Sequence, residues 1–69
     1  MVNDKMIREL KKGQKLVRFK WIDGSNIVTI IDFDIDQHET LPTNVGYKPL
    51  ETAREVWEGL IREGFQTKP

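Results

Sequence analysis

The pattern of apolar and polar positions is clearest between residues 15 and 36, KLVRFKWIDGSNIVTIIDFDID. Residues 15–22 and 27–35 are rich in Val, Ile, Phe, Trp and Thr, which suit a pleated, half-buried surface. Asp23-Gly24-Ser25-Asn26 lies between them, and Asp-Gly in that setting predicts a hairpin turn. With Gly24-Ser25 at the tip, Phe19 faces Ile30, Trp21 faces Val28 and Ile22 faces Ile27. One face then carries Val17, Phe19, Trp21, Val28 and Ile30. The other carries Leu16, Ile22, Ile27, Ile31 and Phe33, interrupted by Arg18, Lys20 and Thr29. Placing Asp23-Gly24 at the tip shifts the pairing by one and sets Trp21 against Asn26. A buried face selects strongly against that slip.

The flanking segments predict elements that cover this hairpin. Met6, Ile7 and Leu10 share a face at helical spacing, Asn3 or Asp4 can cap, and Gly13 suits a left-handed helix end. These features predict a short N-terminal helix to about residue 12. After the hairpin, Leu41-Pro42-Thr43-Asn44 reads as a loop. Val45-Gly46-Tyr47-Lys48 reads as a short third strand, confined by Pro49 to an edge or end. Residues 50–64 give the strongest helical pattern: Ala53, Val56, Trp57, Leu60 and Ile61 form one stripe at i, i+3, i+4, i+7, i+8. Gly64 ends it, and Phe65 can fold back on Leu60 or Ile61. Thr52 and Glu55 have the spacing of a capping box, although the stripe starts slightly earlier. Gly59 is either a tolerated surface position or a place where another backbone approaches closely. The expected fold is α+β in a single domain over residues 1–69: N-terminal helix, antiparallel hairpin with a third strand, and a C-terminal amphipathic helix on the sheet.

Composition narrows the function more than it changes the fold. The chain has 69 residues, no cysteine, and eleven basic against eleven acidic residues. Disulfides and thiolate metal sites are thereby excluded, and bulk charge gives no support for nucleic-acid or anionic-membrane binding. No apolar run approaches the roughly 20 residues of a membrane span. The first residues lack the apolar core of a signal peptide, and the absence of cysteine is compatible with the expected location in a reducing cytoplasm.

Candidate chemistry is sparse. Asp32, Asp34 and Asp36 alternate with Phe33 and Ile35, which puts the carboxylates on one side of a strand, and His38 and Glu39 follow. The calcium-loop pattern needs a glycine at its sixth position and a glutamate at its twelfth; here those positions hold Gln37 and Thr43. Carboxylates spaced by two on a strand stand about 7 Å apart, so no metal site is expected. Lys15 opposite Asp34 instead offers a cross-strand charge pair. His38 has no nucleophile with a supporting constellation nearby, and Ser25 belongs to a turn. No catalytic residue and no cofactor are expected. Lys15, Arg18 and Lys20, with Phe19 and Trp21 interleaved, outline a strand that could track a single-stranded nucleic acid. The aromatics of that strand, however, point to the opposite face from Arg18 and Lys20.

The segment Ala53-Arg54-x-x-Trp57-x-x-Leu60-x-x-x-Gly64-Phe65, following a hairpin, resembles the end of several short uncharacterised cyanobacterial and cyanophage proteins. That resemblance implies a cytoplasmic strand-plus-helix module and no defined activity. The WGR domain also has strands before such a helix, but this chain lacks the Trp-Gly-Arg motif. The function expected from the residues is a non-enzymatic protein-interaction or regulatory module. It acts through an apolar sheet face formed by Leu16, Ile22, Ile27, Ile31 and Phe33, with another protein or a second copy as partner. The alternative is a single-stranded nucleic-acid binder using Lys15, Arg18 and Lys20.

Overall fold

A computed structural model of the chain describes residues 5–36 and 39–67, without the side chains of residues 36 and 39–41. The elements run β1 (Lys5–Lys12), β2 (Lys15–Ile22), β3 (Ile27–Asp36), β4 (Glu39–Pro49), α1 (Leu50–Arg62) and β5 (Gln66–Thr67). They form a five-stranded antiparallel sheet in the order β4-β3-β2-β1-β5, with α1 packed across one face. The fold is therefore α+β, with a larger sheet than the sequence suggested.

The N-terminal helix is replaced by β1. Every residue of that strand pairs with β2, from Lys5 opposite Ile22 to Lys12 opposite Lys15. The apolar positions fit two periods. Met6 and Leu10 with Arg8 lie on one side of a strand as readily as Met6, Ile7 and Leu10 share a helix face. Pairing with β2 decides between them, because an isolated helix of about eight residues is marginal in water. Gly13, at φ 61°, serves the two-residue turn between β1 and β2 instead of a helix end. Both roles require positive φ, which is why the glycine alone did not discriminate.

The central hairpin has the register in which Phe19 faces Ile30, Leu16 faces Phe33 and Lys15 faces Asp34. Its turn is closed by the Ser25 N–H, which donates to the Ile22 carbonyl at 2.8 Å. β4 is longer than expected, because Leu41-Pro42-Thr43-Asn44 continues the strand. Asn44 faces Asp32 and Pro42 faces Phe33, so Thr43 is an extra residue, a β-bulge. Its hydroxyl donates to the Asp32 carbonyl at 3.2 Å. β4 is an edge strand, the place where Pro42 and Pro49 cost no ladder bond to a further strand.

α1 starts directly after Pro49 with no side-chain cap, so Thr52 and Glu55 do not form the capping box. One orphan donor of its first turn is satisfied from outside: the Leu50 N–H donates to the Asn26 carbonyl of the β2–β3 turn at 2.8 Å. The C-terminus closes as a Schellman motif. The Phe65 N–H donates to Leu60 O at 3.0 Å and the Gly64 N–H to Ile61 O at 3.1 Å, with Gly64 at φ 104°. The Lys12 ammonium donates to the Glu63 carbonyl at 2.6 Å, tying this helix end to β1. A Cβ placed on Gly59 meets nothing within 4 Å, so no backbone approaches it closely.

The core lies between α1 and the sheet. Leu10, Val17, Phe19, Val28, Ala53 and Phe65 are buried, with Trp21, Ile30, Leu50, Val56, Trp57 and Leu60 packed around them. Phe19 and Trp57 meet edge to face, ring centroids 5.1 Å apart.

Candidate functional site

Among the described residues, no element covers the face of the sheet away from α1. Strand alternation and register place its residues in rows across β1, β2, β3 and β4. Lys5 and Ile22 stand beside Ile27 and Pro49 at one end. Ile7, Lys20, Thr29 and Tyr47 form the next row, followed by Glu9, Arg18, Ile31 and Val45. Lys11, Leu16, Phe33 and Pro42 form a further row, and Ile35, paired with Thr40, lies beyond it on β3. Among the described residues, the exposed large apolar side chains are Ile7, Ile22, Ile27, Val45, Tyr47 and Ile61. All but Ile61 belong to this one face. Tyr47, 70% exposed, is the most open of them.

The five residues expected from the sequence to form the interaction surface do not play one role. Ile22 and Ile27 are exposed, and Ile31 and Phe33 are half-buried. Leu16 is only 3% exposed and offers a partner almost nothing, so it belongs to the structure of the face. Phe33 is partly roofed by the Arg18 guanidinium, 4.8 Å from its ring centroid, a cation–π contact. Arg18 is held there by Glu9, whose Oε2 accepts from Arg18 Nε at 2.6 Å. Ile7, Val45 and Tyr47 also lie on this face, whereas the sequence pattern gives Ile7 to a helix and Val45 and Tyr47 to a short strand with no face assigned. Period-two alternation through β1, once its pairing with β2 is known, identifies Ile7 together with Lys5, Glu9 and Lys11.

Both sides of the sheet carry cations, with Arg8, Lys12, Lys15 and Lys48 on the helix-bearing side, but the acidic positions differ. The open face carries Lys5, Lys11, Arg18 and Lys20 and, among the described residues, one carboxylate, Glu9. Asp32 and Asp34 alternate onto the helix-bearing side, opposite Val17 and Lys15 respectively. The backbone of Asp36 follows the same alternation, whereas His38 lies outside the described residues. The basic strand also divides: Arg18 and Lys20 are on the open face, and Lys15 is on the other. A neutral chain therefore presents one cationic and apolar face, which net charge alone conceals. Phe19 and Trp21 are confined to the helix side, but Tyr47 and Phe33 supply aromatic rings to the face that holds Arg18 and Lys20.

No helix among the described residues is long and apolar enough to cross a membrane. Comparison of the chain with family models, with characterised proteins and with solved structures gives no match.

Proposed function

We propose that the protein is a non-enzymatic interaction module, and that its open sheet face docks a protein partner bearing acidic and apolar side chains. The observation that carries this is the interleaving of Ile7, Ile22, Ile27, Val45 and Tyr47 with Lys5, Lys20 and Arg18 on one uncovered surface. Apolar patches of this kind mark interaction sites on small soluble domains. The cations add selectivity for an anionic partner and faster encounter. A second copy fits less well, because stacking two such faces brings like charges together, and that opposes association. Sedimentation equilibrium tests this point. A monomer is expected when no other component is present. A dimer that Ile27→Lys abolishes assigns the face to self-association.

The cations of the open face and Tyr47 favour a second reading, single-stranded nucleic acid on the same face. Cations that track a backbone beside an aromatic ring that stacks a base are the usual components of such binding. A labelled single strand titrated at low salt separates the two. If nucleic acid is the ligand, affinity falls with salt, and the log–log slope flattens by about 0.7 for each phosphate contact removed, as in Arg18→Ala or Lys20→Ala. Absence of binding at low salt leaves the protein partner.

A further inference from the structure

On the other side of the sheet, a cleft of about 320 Å³ opens between the first half of α1 and the strands β1–β3. We propose that it binds a small aromatic anion: a flat ring system bearing a carboxylate or a phosphate. The cleft is separate from the open face, and this inference does not depend on the partner proposed for that face.

The lining combines two kinds of group. The half-buried Trp21 and Trp57 supply the aromatic surface, and the buried Phe19, Val28 and Ala53 form the floor beneath them. Phe19 and Trp57 are already fixed edge to face, so these two rings are preorganised. Among the described residues, Arg8 from β1 and Arg54 from α1 are the charged groups that line the cleft, and no carboxylate lines it. Among the described residues neither arginine forms an ion pair; the side-chain bond of Arg8 is a long one, 3.4 Å, to its neighbour's carbonyl. Two guanidiniums that form no ion pair with a described residue, at an aromatic cleft, match a ligand with a ring at one end and an anion at the other. Guanidinium forks suit carboxylate and phosphate oxygens, and they also stack on rings. The volume lies at the lower end of the range for ligand pockets, about 300–1,000 Å³, which limits the ligand to a small ring system.

Trp21 and Trp57 are the chain's two tryptophans, so their indole N–H resonances in a ¹H–¹⁵N spectrum report directly on the cleft. The probes are 2-naphthoate, 2-naphthyl phosphate and the neutral 2-naphthylmethanol. Saturable shifts of both indole resonances are expected with at least one anion, and whichever anion binds identifies the acidic group. The neutral probe should bind about tenfold more weakly, the loss expected for one charge-assisted hydrogen bond. Arg8→Gln and Arg54→Gln, both at exposed positions, should each weaken the anion by a similar factor and leave the neutral probe unchanged. Tyr47→Ser, on the opposite face, should leave all three affinities unchanged. Equal affinity for the neutral probe, unsaturable shifts, or no loss in folded arginine variants would each overturn the proposal.

Discussion

The two faces of the sheet are built from the same strands and differ in what lies over them. On the face under α1, Leu10, Val17, Phe19 and Val28 are sealed by Ala53, Trp57 and Leu60, and stability resides there. On the opposite face, side chains of the same types, among them Ile7, Ile22, Ile27 and Val45, remain in water beside lysines. Alternation along a strand distributes residues to both sides with no preference for either. What separates the faces is α1, the single helix among the described residues, which covers one side. The uncovered side retains apolar surface that folding does not require, together with cations that a core could not hold.

This contrast can be broken first at an aromatic ring. Phe19→Ala should destabilise by about 3–5 kcal/mol, the range for emptying a large buried aromatic site. For a domain this small that is much of the total stability, so urea unfolding should show a large fall in midpoint. The size-matched change on the open face, Tyr47→Ser, should move the midpoint by less than about 0.5 kcal/mol. Similar losses at the two positions would mean that the open face is also part of the fold.

Smaller effects sharpen the comparison. Gly59→Ala should stabilise by about 1 kcal/mol, because the helix gains propensity and the new methyl meets nothing within 4 Å. A loss instead would reveal a contact over the outer side of α1. Arg18→Ala should cost no more than about 1 kcal/mol, since its ion pair with Glu9 is only partly shielded, with side-chain exposures of 35% and 18%. The more telling consequence is greater exposure of Phe33, which a solvent-accessibility probe such as paramagnetic relaxation at the ring protons would detect.

Much of the covered side was legible in the sequence. The β2–β3 register follows from keeping Val17, Phe19, Trp21, Val28 and Ile30 together, and the α1 stripe and its Gly64-Phe65 ending follow from period and cap chemistry. The open side was only half legible. Met6, Ile7 and Leu10 satisfy a helix and a strand equally, and long-range pairing with β2 resolved them in favour of the strand. Leu41-Pro42-Thr43-Asn44 has turn composition, yet an edge strand tolerates its proline and a bulge at Thr43 absorbs the irregular spacing. The loss of Ile7 from the expected surface follows from the helical reading, and that of Val45 and Tyr47 from a third strand whose register, and hence face, the sequence leaves open. Leu16 was placed on the correct face, but packing buries it, which alternation alone does not disclose.

The most direct test of the division between the faces is a paired affinity capture from cells of the source organism, read by mass spectrometry. The wild-type chain is compared with the double variant Lys20→Glu, Tyr47→Ser, after circular dichroism has established that both are folded with similar melting temperatures. The account predicts a defined set of proteins retained by the wild type and lost from the variant. Retention of the same set by both would contradict the assignment of the open face as the binding surface.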